Sequence, residues 1–138
     1  VVQISLPRRD DAPALWQLGA WLNAWENEGY WVIGSGSLTH NLRQRSAQWN
    51  SPINPAIHPF RDALNAILAS GDRRGLQQWE QLPDARLHHP TPEHFLPLLV
   101  AAANPGPARQ LNDSVEYGNL AMDVWGFGAH AHAVPDAL

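Results

Sequence analysis

Cysteine is absent from the 138 residues. That excludes a disulfide framework, a thiolate zinc finger and a cysteine nucleophile together. Any metal held by this chain must bind His, Asp or Glu. Lysine is absent too: all nine basic residues are arginine, a skew attributed to genomic base composition and given no mechanistic weight. The net charge is -4 and the arginines are not concentrated, so phosphate neutralisation has no footing and nucleic acid is not an expected partner. No apolar run approaches the ~20 residues of a membrane-spanning helix. No charged, apolar and small-residue succession marks a secretory signal at the N-terminus. A soluble, cytoplasmic protein without a membrane partner is the expectation, and a start at Val1 rather than Met reads as cut or processed.

What is present suits one globular domain with a real core: 44% of the residues are hydrophobic and 16% charged. Tryptophan and histidine are over-supplied, at seven each. Trp16, Trp21, Trp25 and Trp31 crowd one segment, more large rings than a core of this size requires, so some are expected to face another chain or a missing domain.

The N-terminal "VVQISL" predicts a strand ended by Pro7. Asp10 and Asp11 are N-cap candidates, Pro13 suits a first helical turn, and Leu15, Leu18, Leu22 and Trp25 recur at helical spacing until Gly29. "YWVIGS" predicts a second strand, completing a strand-helix-strand unit whose natural geometry is a parallel pair. The expected fold is therefore α/β, a single domain with a mainly parallel central sheet flanked by helices. Residues 43–59, punctuated by Pro52, Pro55 and Pro59, read as a long loop over the surface. Phe60, Leu64, Ile67 and Leu68 mark a helix, "DRRGLQQWEQL" a shorter one, and residues 93–103 another. "SVEYGNLAMDVWGFG" predicts one or two closing strands, and residues 129–138 a flexible tail.

Two stretches carry candidate chemistry. In "GSGSLTHNLR", residues 34–43, Gly34 and Gly36 form G-x-G, but Thr39 occupies the third glycine position and no G-K-[ST] follows, so a phosphate loop is excluded. An ordinary strand-to-helix turn and a loop built to hold His40 both remain. In "PTPEHFLP", Pro90 and Pro92 stiffen the chain just before Glu93 and His94, useful where one side chain must meet a metal. Neighbouring residues on a helix point about 100° apart, so only one of the two enters a given pocket; a helix-start glutamate is equally a plain dipole partner. His88 and His89 read mainly as a solvent-exposed loop, with a place at a substrate mouth as the alternative. His58 matches no metal pattern, and His130 with His132 forms an H-x-H in the tail.

Taken in order, "GSGSLTHNLR", "PTPEHFLPLLVAAA" and "YGNLAMDVWGFG" resemble the C-terminal half of the class III extradiol ring-cleavage dioxygenases, in the DOPA 4,5-dioxygenase-like branch. The resemblance runs over residues 1–128. It implies a mononuclear non-haem iron(II) site that opens a small catechol, DOPA-like, with O2. By the same resemblance His94 is a metal ligand, with Glu93 its rival because other branches use a glutamate from this region. His40 matches the histidine thought to act as acid and base, and in zinc-bound relatives the matching residue is itself a ligand, so Zn(II) is a second candidate metal. Asn41 and His89 are candidate substrate-binding residues, Asn41 having a helix-cap role as its rival. An imidazole titrating near neutrality can take a catechol proton and return it, and iron(II) wants a few N and O ligands with positions left open.

The family's two other metal-binding histidines lie upstream of everything in this chain. The resemblance thus implies an incomplete site, finished by a missing N-terminal half or by a partner chain. A symmetric homodimer is the default oligomer. The rival expectation is a non-catalytic metal-binding or interaction protein that keeps the fold. A metal-dependent hydrolase finds no H-E-x-x-H or two-metal carboxylate pattern.

Overall fold

Asp11 starts the first helix as its sequence suggests: its carboxylate accepts the Ala14 N–H at 3.2 Å, and Pro13 sits in the first turn of α1 (Ala12–Asn23). The computed structural model describes residues 1–7 and 11–132, so the other cap candidate, Asp10, lies outside the described residues. Leu15, Gly19 and Asn23 form the buried face of α1. Gly19 lets it lie directly on the backbone of α5 (Leu96–Ala101), because a Cβ there would strike the Val100 carbonyl. The Asn23 amide rivets the pair, donating to Gly19 O at 2.8 Å and Val100 O at 3.1 Å.

Between these helices run α2 (His58–Ser70), α3 (Arg73–Gln77) and α4 (Ala85–His88). Phe60, Leu64 and Leu68 repeat at helical spacing along the buried face of α2, and Gly71, at φ 68°, ends it. α2 begins at His58, with Pro59 in its first turn, earlier than Phe60 where the apolar pattern begins. Residues 43–59 are otherwise irregular apart from short 3-10 turns at Leu42–Gln44 and Pro55–Ile57. Phe60, Leu64, Trp79, Phe95 and Leu99 meet in one core with Leu15 and Leu38.

The chain closes with four short strands, β1 (Ala108–Asn112), β2 (Val115–Glu116), β3 (Leu120–Ala121) and β4 (Val124–Phe127). β1 pairs with β4 and β2 with β3, both antiparallel. The β2–β3 turn uses two consecutive left-handed residues, Tyr117 at φ 51° and Gly118 at φ 75°, the geometry of a tight hairpin. The architecture is helices with small antiparallel sheets.

The expected mainly parallel central sheet does not form among the described residues. "VVQISL" and "YWVIGS" carry no strand assignment; Leu6 and Val32 pack against the core, while Ile33 at 81% and Trp31 at 64% exposure stand in solvent. A strand exists only where a neighbour completes its ladder, and among the described residues neither segment enters a sheet. The helix expected over residues 93–103 is also shorter, since residues 93–95 form a turn ahead of α5. β1 lies outside the segments predicted as strands and is a strand through its pairing with β4. Of the tail at 129–138, residues 133–138 and the side chains of His130 and His132 lie outside the described residues.

Candidate metal and acid–base site

Gly34 and Gly36 serve close approach, not phosphate. A Cβ on Gly36 would collide with the His94 carbonyl oxygen and one on Gly34 with that of Pro97. Without side chains, the two segments close on each other, and the Ser37 N–H donates to His94 O at 3.0 Å. This contact brings together the loop bearing His40 and the turn bearing His94. Their imidazoles stack with centroids 3.6 Å apart and planes inclined by 25°.

The loop is held from three sides. Leu38 N–H donates to Ala121 O at 2.9 Å and His40 N–H to His88 O at 2.9 Å. The Thr39 hydroxyl donates to Asn119 O at 2.7 Å and accepts the Ala121 N–H at 2.8 Å. The Asn119 amide donates to Asn41 O at 2.8 Å. Asn119 and Thr39 are fully buried, and reading the sequence missed both as supports of the site. The available signal was Asn119 directly after the left-handed Tyr117–Gly118 pair, where a hairpin turn returns the chain towards the loop.

Asn41 spends its side chain internally: Nδ2 donates to Leu87 O at 2.6 Å and Oδ1 accepts the Arg43 N–H at 3.1 Å, capping the 3-10 turn Leu42–Gln44. The cap role proposed as the rival is the one it occupies. His88 and His89, expected on a solvent-exposed loop, are instead buried, His89 completely. They belong to the end of α4 and face inward because the segment packs under the His40 loop. His88 Nε2 donates to Ala56 O at 3.2 Å and His89 Nε2 to Leu38 O at 2.8 Å. Phe60, Trp79 and Phe95 surround the His89 ring at 5.7, 5.6 and 5.1 Å, so it does not reach a substrate mouth.

Burial sets the electrostatics. Desolvation pushes His89 down to about 4 and lowers His88. His40 is lowered by partial burial first and by the stacked His94 second, with Glu93 opposing. Glu93 is exposed; its own backbone N–H and the Thr91 hydroxyl, at 2.8 Å, hold it below the usual carboxylate range. Its carboxylate lies 3.8 Å from His94 Nε2. Both neighbours therefore face the same region, with His94 directed at His40 and Glu93 at its edge.

Imidazole nitrogen and carboxylate oxygen suit iron(II) or zinc(II), and His94, His40 and Glu93 are the candidates. Among the described residues, no group of three or more His, Asp or Glu is placed to hold a metal by itself.

Known proteins align with most of this chain. It is 32% identical over 111 residues to a protein named 4,5-DOPA dioxygenase extradiol from Beta vulgaris, covering 77% of the chain and 40% of that protein. It is 30% identical over 134 residues to the Escherichia coli K12 protein of the same name, covering 88% and 47%. The chain is a homologue of the extradiol DOPA dioxygenases. It is also 31% identical over 114 residues to the dioxygenase tasH of Hapsidospora irregularis. A solved structure, titled as an uncharacterised protein JW3007 of Escherichia coli K12, superposes with a TM-score of 0.73 at 29% identity, over 83% of this chain and 50% of that one. No family model matches the chain. It thus spans about half the length of the extradiol DOPA dioxygenases it matches.

Proposed function

We propose that this chain is the C-terminal part of a non-haem iron(II) extradiol dioxygenase that opens a small, DOPA-like catechol with O2. The observation that carries the reading is the stacking of His40 on His94 at 3.6 Å, two imidazoles from separate motifs brought together by glycines that serve only that approach. The names of the homologous DOPA dioxygenases support it.

In this reading His94 holds the metal, with Glu93 as the alternative ligand and His40 as a further one if zinc is bound. Iron(II), when bound, supplies the open positions at which catechol and dioxygen meet. His40 takes the proton of a catechol hydroxyl on a ring nitrogen and returns it to the product. Glu93, kept as a carboxylate, favours the protonated form of His40. Leu38, Thr39 and Asn41 hold the His40 loop through their own bonds, so the base does not need to be ordered when substrate arrives.

The remaining metal-binding histidines come from an N-terminal half or a partner chain. The same partner offers ladder neighbours to residues 1–6 and 30–35, and with them a mainly parallel sheet. It would also cover Trp21, Trp31 and Ile33, which stand exposed.

The test is oxygen uptake on adding DOPA to the assembly purified without oxygen, with metal content measured on the same sample. About one iron per site is expected, together with uptake that falls by about 10²–10⁴-fold in His40→Ala. An assembly with no uptake would overturn the enzymatic reading; if metal were nonetheless bound, a non-catalytic metal-binding protein with this fold would remain.

A further inference from the structure

The geometry points to His89 as a positioning residue whose Nε2–H holds the Leu38 carbonyl and thereby sets His40 against His94. The inference rests on the metal-site reading above and adds a residue to it.

His89 is fully buried in a cage of Phe60, Trp79 and Phe95, a place where an apolar ring would pack as well. Its polar contact there is the 2.8 Å bond to Leu38 O. A carbonyl can only accept, so Nε2 carries the hydrogen and Nδ1 is left with a lone pair. That Nδ1 is buried and has no hydrogen-bond partner. An apolar ring at position 89 would remove this orphan and create another at the Leu38 carbonyl. The counts cancel, so stability gives little reason for a histidine here.

Position does give a reason. Leu38 is bonded on both faces, its N–H to Ala121 O and its carbonyl to the His89 ring. Two residues later His40 N–H meets His88 O at 2.9 Å. The consecutive residues His88 and His89 therefore form a ledge beneath the loop, one holding it through backbone and the other through its side chain. Removing the side-chain support frees the Leu38–Thr39 peptide to rotate, and with it the base of the His40 side chain. Glutamine, whose terminal amide reaches about as far as an imidazole Nε2, can restore the donor.

The experiment compares the full chain with His89→Phe and His89→Gln. Thermal unfolding is measured alongside the ring-proton NMR shifts of His40 and His94, which report their stacking without any metal. Co(II) affinity is measured by titration. The expected result for His89→Phe is an unfolding midpoint near that of the unsubstituted chain, ring shifts moved towards those of free histidine, and Co(II) binding about tenfold weaker, all recovered in His89→Gln. If His89→Phe does not fold, His89→Met takes its place with the same readouts. Unchanged ring shifts and Co(II) affinity in the apolar variant would overturn the inference, as would equal losses in the apolar variant and His89→Gln. Should the ring shifts respond as expected while the unsubstituted chain takes up no Co(II), the positioning role stands and the metal-site reading fails for this chain. Co(II) uptake indifferent to position 89 would instead keep the metal site and remove the positioning role.

Discussion

Gly36 has no room for a side chain, and the consequence is chemical as well as steric. A Cβ there meets the His94 carbonyl, so Gly36→Ala must push apart the segments that carry His40 and His94. A loss of about 1–3 kcal/mol in stability is expected from overpacking, read by urea denaturation, with the stacked imidazole shifts lost in parallel. A variant that kept both stability and ring shifts would show that the glycine is not what admits the approach. His89 makes a second prediction at this scale, through pH. Its folded value is lowered to about 4 from an ordinary 6.5, and His88 is lowered as well. Above pH 6.5 both folded and unfolded chains hold the ring neutral, and stability is at its full value. Between about 6.5 and 4 only the unfolded chain takes up the proton, so stability falls as the pH falls, by about 3 kcal/mol for His89 alone. Below about 4 both states are protonated and this contribution to the slope ends. Urea midpoints from pH 4 to 8 measure the effect, and His89→Gln should flatten part of the decline; an unaltered slope in that variant would remove His89 as its source.

At the scale of elements, the fold depends on a buried ion pair that joins α2 to the closing strands. The Arg61 guanidinium forks onto Asp123, at 3.0 and 2.7 Å, while the Gln110 amide donates to the same carboxylate at 2.6 Å. Asp113 also pairs with Arg61. The Asp123 side chain is fully buried and that of Asp113 is 69% exposed. Asp123→Ala leaves a buried guanidinium with only its exposed partner, and a loss of about 3–5 kcal/mol is expected. Asp113→Ala should cost no more than about 1 kcal/mol, because that carboxylate is solvated. Chemical denaturation of the two variants compares them, and equal losses would contradict the assignment of the tie to Asp123. The pair gives Asp123, within the motif "AMDVWGFG", a structural role that neither strand propensity nor the family resemblance assigned to it. In the same way helical periodicity marked the apolar faces of α1 and α2, whereas the turn at residues 93–95 depended on Pro92 accepting from Phe95 and Leu96.

Over the whole molecule, an apolar surface has no cover among the described residues. Val1, Val2 and Ile4 are exposed with Ile33, and Trp21 stands at 62%. Trp25 packs edge-on to both Trp21, at 6.3 Å, and Tyr30, at 5.9 Å. Large apolar side chains left in solvent in this number favour association. The isolated chain is expected to associate as its concentration rises, and the double change Trp21→Glu with Ile33→Asp to reduce that association, both followed by sedimentation velocity. A concentration-independent monomer before substitution would remove the surface as a driver of assembly. Among the described residues, no helix is long and apolar enough to cross a membrane.

Sequence alone determined the elements whose causes are local: the Asp11 cap, the apolar stripe of α2 and the exclusion of thiolate and phosphate-loop chemistry. It also marked His40 and His94 through the order of three motifs. Only the tertiary structure decided that Gly34 and Gly36 exist for approach to the turn before α5, that Asn41 caps a turn and that His89 lies beneath the loop. It alone decided that residues 1–6 and 30–35 do not pair with each other. The physical reason is the same in each case: a cap or a stripe is set by neighbours a few residues away, whereas a Cβ collision, a buried ring's partner and a strand's ladder depend on segments the chain brings together from afar.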